Sequence, residues 1–170
     1  MFPHQSPSNK KENEKGSLLV EIVIVAGIVA GSLTAILGVA TTFLVISHVV
    51  QQTSQATALA QEGLEIVRNY RDGTSWSAGL GAVAYGPTVY HSVQSGNPPQ
   101  WTFVSGSETI NEFSRQIVFA QVCRNASANI VACPGSSTDA NSKKATVTVS
   151  WQERGRSHKV ELTAYFTNWK

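Results

Sequence analysis

Residues 15 to 50 read KGSLLVEIVIVAGIVAGSLTAILGVATTFLVISHVV, and this stretch decides the fold. From Leu18 to Val50 it is almost entirely apolar, and Glu21 is its one carboxylate. As a helix these residues would extend about 50 Å at about 1.5 Å per residue, whereas a bilayer core needs only about 20 residues. The sequence therefore predicts a helix that crosses a membrane and continues beyond it.

A polar leader precedes this helix and ends in Gly16. Its lysines, Lys10, Lys11 and Lys15, favour a cytoplasmic N-terminus. In a secretory signal peptide the small residue follows the apolar region, whereas Gly16 precedes it. Glu21 comes five positions after Gly16, and a charge at membrane depth is costly enough to indicate a functional site. The alternative is that Glu21 is an interfacial residue of an ordinary signal anchor.

The segment from Gly16 to Glu21, followed by the apolar residues 22–28, resembles the processing site and first helix of type IV prepilins and type II secretion pseudopilins. The resemblance covers roughly residues 10 to 72. In that family a prepilin peptidase cleaves after the glycine and N-methylates the new first residue. Here that residue is Ser17, where the family usually has phenylalanine. Many pilins also carry a proline in this helix, and here Gly38 stands near its place.

The resemblance implies a cleaved leader at 1–16, a transmembrane and filament-core helix at 17–50, its amphipathic continuation at 51–72, and an extracytoplasmic head at 73–170. It implies that Glu21 of an incoming subunit neutralises the N-terminus of a docked subunit and sets its register. The implied partners are other pilin or pseudopilin subunits, the prepilin peptidase and the assembly-platform membrane protein. The chain would lie in the inner membrane before assembly and in an extracellular or periplasmic filament afterwards.

Three glycines interrupt the apolar helix, and their meaning stays open. Gly27 and Gly31 form a pair of small residues that lets helices approach closely. With Gly38, they would alternatively allow the helix to unwind locally in a filament. Ordinary glycine usage in membrane helices explains them equally well.

From Gln51 the sequence becomes amphipathic. Apolar residues recur at steps of three and four, which predicts a helical stripe that packs on the head: Ala56, Leu59, Gly63, Ile66 and Tyr70, widened by Leu64 and Val67. Arg71, Asp72 and Gly73 predict the end of the helix, because basic residues favour the last turn and glycine follows it.

The head carries strand patterns, so the predicted fold class is α+β with a small antiparallel sheet. Residues 101–104 predict a short strand, and 113–123 a central strand that is apolar on both faces near 117–119. Residues 145–151 and 160–166 alternate and predict a β-hairpin joined at 153–156, giving an antiparallel meander. Residues 82–85 and 88–90 form either small strands or part of a long loop. The final hairpin resembles PilV-like minor pilins.

Aromatic and turn residues add two further expectations for the head. Trp101, Trp151 and Trp169 are predicted to belong to its core. Pro134 and Gly135 predict a turn within a polar segment.

The chain has two cysteines, Cys123 and Cys133, which flank this polar segment. Outside the membrane, disulfides are permitted, so we predict a bridge that closes a small loop and stabilises the head by about 2–3 kcal/mol. Two buried free thiols are the alternative. A zinc site is disfavoured because no second pair of ligands has suitable spacing.

The sequence offers little other chemistry, and no cofactor is predicted. No histidine pair has metal-ligand spacing, no serine has the context of a hydrolase nucleophile, and no glycine-rich phosphate loop is present. Asp139 and Asn141 supply too few oxygen ligands for calcium. The net charge of +2 is too weak to argue for nucleic acid.

A basic cluster stands at the final hairpin, formed by Arg154, Arg156, His158 and Lys159. It has three interpretations: capture of DNA phosphates, contact with acidic groups of a neighbouring subunit, or a solvated turn.

The sequence thus predicts a structural protein without a catalytic site, a subunit of a type IV pilus or type II secretion-like filament and more specifically a minor pilin or pseudopilin. The alternative is an uncleaved, singly anchored surface protein whose β-rich ectodomain binds a ligand.

Overall fold

The computed structural model describes the backbone of residues 8–133 and 137–169, and the side chains of residues 17–133 and 137–169. The chain divides into two compact units, Met1–Val50 and Gln51–Lys170. Within the described ranges it forms one helix and seven strands: α1 (Ser8–Gly73), β1 (Val89–Ser95), β2 (Gln100–Ser105), β3 (Glu108–Ile110), β4 (Phe113–Arg124), β5 (Ile130–Val131), β6 (Ser137–Glu153) and β7 (Arg156–Thr167). The predicted α+β class is confirmed.

The helix begins earlier than the sequence pattern predicts. We expected it to start directly after Gly16, but its first residue is Ser8. Residues 8–15 are mainly lysine, glutamate and asparagine with no proline, and lysine and glutamate have good helix propensity. A glycine inside a helix costs only about 1 kcal/mol, so Gly16 does not end the regular backbone.

The first unit presents an apolar surface. Over Ser17–Gly73, α1 is long and apolar enough to cross a membrane, and its most apolar window has no buried residue. Most large apolar residues from Leu18 to Val50 are exposed, and each of these keeps at least 49% of its accessible surface. A surface of this kind is stable in lipid or against other apolar helices, but not in water.

Polar side chains in this segment are satisfied by the helix itself. Ser32 Oγ donates to Val29 O at 2.8 Å, and Thr34 Oγ1 donates to Gly31 O at 2.9 Å. Thr41 and Thr42 both donate to Gly38 O, at 2.9 and 3.0 Å. Because their hydroxyls are already hydrogen-bonded, these residues do not oppose burial of the helix in an apolar medium.

The second unit is built on an antiparallel sheet. Its strand order is β2-β1-β4-β6-β7, and β3 and β5 pair with β4 outside this path. The three strands β4, β6 and β7 form the predicted antiparallel meander. Ser114 of β4 pairs with Ser150 of β6, and Ser142 of β6 pairs with Thr167 of β7. The strand predicted at 101–104 lies in β2, and β1 contains residues 89 and 90. Residues 82–85 are not a strand and belong to the irregular segment between α1 and β1, which is the loop that the sequence left as the alternative.

One face of this sheet is buried. Along β4, buried and half-buried residues alternate from Phe113. Ile117 and Phe119 are fully buried, whereas Val118 between them is half-buried. The predicted central position of β4 is confirmed, since β1 and β6 flank it, and near residues 117–119 one of its faces is buried while the other is half-buried. Along β6 the predicted inner residues are buried, namely Ala145, Val147, Val149 and Trp151.

Residues 51–73 of α1 cover that face. The predicted stripe is confirmed at Ala56, Gly63, Ile66 and Val67, while Leu59, Leu64 and Tyr70 are only partly buried. Ala60, which the pattern did not single out, is fully buried. The helix ends at Gly73 as predicted.

Helix and sheet approach each other closely at Gly63. A Cβ atom on this residue would lie 2.9 Å from Val147 Cγ1 and 3.6 Å from Arg115 Cδ. The missing side chain therefore lets α1 lie directly on β6.

Trp151 is the tryptophan that fulfils the core prediction, with 4% of its surface exposed. Trp101 is half-buried. Trp169 is 64% exposed and lies under the Arg71 guanidinium, 4.7 Å from the ring centroid. The prediction for Trp169 is wrong. This residue follows the end of β7 at Thr167, so it lies beyond the strand residues that face the helix. The turn predicted at Pro134 and Gly135 lies outside the described residues.

A buried lysine fixes the segment between α1 and β1. Lys143 Nζ donates to Leu80 O at 2.7 Å, to Gly81 O at 3.2 Å and to Val83 O. The residue is 3% exposed, and this burial lowers the pKa of the ammonium below its ordinary value of 10.5. One side chain thus satisfies three carbonyls of a segment without regular structure.

We expect Gly63→Leu to lower the free energy of unfolding of the second unit by about 2–3 kcal/mol, since the new side chain overlaps Val147. Thermal unfolding of the full chain in detergent, followed by tryptophan fluorescence, measures this, because all four tryptophans lie beyond residue 73. Gly73→Ala is the control, because its Cβ meets open space. Adding Val147→Ala to Gly63→Leu should recover part of the loss, and strictly additive effects would contradict the contact.

We expect the unfolding free energy of the wild-type chain to rise relative to Lys143→Met as the pH rises towards 10.5. Over that range the folded chain loses the Lys143 proton before the unfolded chain does, so the difference grows by at most about 1.4 kcal/mol per pH unit. Urea titrations of both chains from neutral pH upward provide the comparison. Parallel stability curves would show that the ammonium is not desolvated on folding.

Candidate assembly site

The predicted processing residues lie on the first unit of the chain. Gly16 falls outside the residues whose side chains are described. Ser17 and Glu21 are exposed and stand one helical turn apart on α1. Val20, Ile24 and Val25 lie beside them and form a shallow apolar surface around the carboxylate. The helix thus presents one acid within an apolar face.

The apolar run that carries Glu21 brings no lysine or arginine to it, because from Leu18 to Val50 the sequence contains neither. In water an exposed carboxylate needs no partner, but in an apolar medium an unpaired one is strongly unfavourable. A cation that neutralises Glu21 there must come from outside this run, that is, from the residues before Ser17, from a new chain terminus or from another molecule.

The helix glycines leave open surface. A Cβ atom added at Gly27, Gly31 or Gly38 would meet nothing within 4 Å. Next to Gly38, an apolar groove is lined by Ala35, Val39, Thr42, Phe43 and Ile46. These positions therefore do not serve packing within the described chain.

The basic cluster is brought together at the β6–β7 turn. Glu153 faces Arg156 in the register, and the two residues between them, Arg154 and Gly155, have φ angles of 49° and 76°. Two residues with positive φ form the tight turn that suits the twist of a hairpin. The predicted connection at 153–156 is confirmed.

The four cluster residues are not equivalent. Lys159 Nζ lies 2.5 Å from Glu161 Oε2 and is neutralised by it. The His158 ring stacks on Trp151, with centroids 5.4 Å apart and an angle of 19° between the planes. Arg154 and Arg156 are exposed. The cluster is thus smaller than the sequence suggests.

The cysteines form the predicted disulfide. Cys123 and Cys133 are bonded, with their Cα atoms 5.6 Å apart. The loop that they close includes β5, which pairs with the end of β4. Beside it, Arg124 Nε donates to Asp139 Oδ2 at 2.6 Å, and this hydrogen bond lowers the pKa of the Asp139 carboxyl. Asp139 therefore serves a structural ion pair.

Sequence reasoning missed a polar contact that joins helix and sheet. Trp151 Nε1 donates to Gln52 Oε1 at 3.1 Å, and Gln52 Nε2 donates to Glu112 Oε1 at 3.3 Å. Gln52 is 6% exposed. A glutamine next to a predicted membrane exit looks like a solvated residue, and its burial depends on residues 60 and 99 positions away.

Comparison with known proteins gives no match: no protein family, curated protein or solved structure is detectably similar to this chain.

We expect replacement of both cysteines by serine to lower the unfolding free energy of the second unit by about 2–3 kcal/mol, because the unfolded chain loses the constraint of a short closed loop. Urea unfolding of the full chain, with and without a reductant, measures this. The reductant should shift the midpoint of the wild-type chain and leave that of the double variant unchanged. An equal shift in both would show that the disulfide contributes nothing.

Proposed function

We propose that this chain is a structural subunit, a minor pilin or pseudopilin, of a type IV pilus or type II secretion-like filament. The observation that carries the proposal is Glu21, the one carboxylate in the exposed apolar run 18–50 of α1, five residues after Gly16. An ordinary anchor has no need of a charge at that position, and its insertion would be easier without it.

Cleavage after Gly16 supplies the missing cation. The new N-terminus at Ser17 carries an ammonium or methylammonium group, one helical turn from Glu21 of the same chain. In the assembled filament the same group of a docked subunit pairs with Glu21 of the incoming one. A buried pair of this kind gives little net stability. The pair instead fixes the axial position of the incoming subunit relative to the docked one, because any other position leaves two buried charges unpaired.

The apolar surface supplies the association energy. Lipid is itself apolar, so the exposed aliphatic side chains between Leu18 and Val50 gain little simply by leaving it. They favour association with neighbouring helices only where the helices pack closely. Gly27, Gly31 and Gly38 support such packing, because nothing in the described chain fills the space beside them.

The second unit supplies the exposed part of the subunit. Its core uses residues 51–73 of α1, so the amphipathic part of the helix is already engaged by the sheet. What remains for contacts between subunits is the apolar half of the helix and the polar surface of the head.

One observation favours a second function. The helix continues through Gly16 back to Ser8, which suits an uncleaved, singly anchored surface protein whose head binds a ligand. For that function neither Gly16 nor Glu21 is needed.

Processing and assembly separate the two functions. In cells with an active prepilin peptidase, we expect the intact mass and N-terminal sequence of the membrane-extracted chain to begin at Ser17, with one added methyl group. Gly16→Leu should remain full length, and Gly38→Leu, which makes the same substitution further along the helix, should still be cleaved. Glu21→Leu should be cleaved but recovered only in membranes and not in the sheared filament fraction.

A wild-type chain that begins at Met1 despite active peptidase would overturn the proposal. So would an assembled Glu21→Leu variant, because the carboxylate would then have no part in register. Either result would leave the anchored surface protein as the function to test.

A further inference from the structure

The final hairpin lies at a defined end of the second unit. On β6, Val147 packs against Gly63 of α1, and Trp151 bonds to Gln52. As β6 proceeds towards its end, it therefore passes successively earlier residues of the helix. The turn at Arg154 and Gly155 follows Trp151 and so lies at the end of this unit where Gln52 is found.

That end is also the one at which the chain leaves its apolar segment. Gln51 is the first residue of the second unit and directly follows Val50, the last apolar residue of the long run. When residues 18–50 are in a bilayer, Gln51 and Gln52 are near the headgroups. A turn beside Gln52 is then within reach of the membrane surface.

Charges of both signs lie at this end. Glu112 accepts a hydrogen bond from the neutral Gln52 amide, and Glu161 pairs with Lys159; both carboxylates are exposed. Glu153 is half-buried and faces Arg156 in the β6–β7 register. Arg154 and Arg156 are exposed on the turn itself, which follows Trp151. Their guanidinium groups suit bidentate contacts with phosphate.

The conformation of Arg154 gives an independent argument. Its φ angle is +49°, in the left-handed region that disfavours a residue with a long side chain by about 1 kcal/mol or more. Asparagine, aspartate or glycine is preferred at this position of the turn. An arginine is therefore unfavourable for the hairpin, and strained residues of this kind are found at binding sites.

We propose that Arg154 and Arg156 bind the phosphate headgroups of the anionic bilayer that holds the apolar helix. This contact goes beyond filament assembly and rests only on membrane insertion, so it applies to the cleaved and to the uncleaved chain. It docks the head on the membrane before any assembly, and it must break when the subunit leaves the bilayer. Basic residues near an anionic surface favour the bound position by about fivefold each.

Hydrogen exchange of the full chain in nanodiscs tests the contact. We expect the peptide that covers residues 152–159 to exchange about fivefold more slowly, or slower still, when phosphatidylglycerol is added to phosphatidylcholine. High salt should reverse the protection, because it screens exposed charges. Peptides from β2 should not change between the two lipid compositions.

Arg154→Asn is the decisive variant, since it removes the charge while placing a preferred residue in the turn. It should keep or raise the unfolding temperature and lose most of the protection, and Arg154→Asn with Arg156→Gln should lose all of it. Arg68→Gln is the matched control. It removes one exposed charge at residue 68 of α1, about 24 Å along the helix from Gln52, and should keep the protection.

Equal exchange in neutral and anionic nanodiscs would overturn the proposal. Protection by duplex DNA in neutral nanodiscs, without protection by phosphatidylglycerol, would also overturn it and assign the turn to nucleic acid. Protection by inorganic phosphate alone, to the same extent as by anionic lipid, would show that the headgroup is not recognised. Failure of cleavage at Gly16 has no bearing on these outcomes.

Discussion

The structure depends on one constraint: the apolar face of the sheet must be covered by a single stretch of helix. Residues 51–73 of α1 meet that face with small residues, Ala56, Ala60 and Gly63, while the sheet contributes the large ones, such as Phe119 and Val147. Small residues on the helix and large residues on the sheet bring the two layers close together and fill the space between them. The distance between α1 and β6 depends in part on Gly63, because an added Cβ atom would lie 2.9 Å from Val147 Cγ1 and the two could not both keep their positions.

Polar groups inside this core determine how the parts fit together. Arg115, with 3% of its surface exposed, donates to Leu59 O at 3.1 Å and to Glu108 Oε1 at 2.7 Å. Lys143 holds the segment before β1, and Gln52 joins α1 to Trp151. Each of these side chains is buried at a cost that is offset only when its particular partners are in place. Hydrophobic burial holds the unit together, and these contacts select one arrangement of helix, loop and sheet.

Local patterns predicted the elements whose periodicity is strong. The end of α1, the strands β4, β6 and β7 and the hairpin at 153–156 follow from residue spacing and turn chemistry. The short strands β3 and β5 carry too few residues to show a period. The beginning of β6 at Ser137 is polar, and its sequence resembles that of a loop. It is a strand because it pairs with β4, a contact that local sequence does not reveal. Burial of Arg115 and Lys143 had no local signal, since a charged residue is normally a surface residue.

The features of the candidate site were likewise predictable only where the local sequence shows them. The disulfide and the basic turn were predictable, because cysteines and charges are visible in the sequence. The engagement of Lys159 by Glu161 was not predicted from the charge cluster, and the burial of Gln52 depends on contacts far along the chain. The role of Glu21 rests on the motif around it and is supported by the structure only in that the carboxylate lies exposed on an apolar helix face.

Glu21 and Arg154 share a property that argues for function at both ends of the membrane segment. Each is unfavourable where it stands: a carboxylate within an apolar helix, and an arginine with a positive φ in a tight turn. A leucine at the first position would improve insertion, and an asparagine at the second would suit the turn. Departures from local preference are expected where a partner supplies the missing interaction. In the proposals made above, that partner is an N-terminal ammonium group for Glu21 and a lipid phosphate for Arg154.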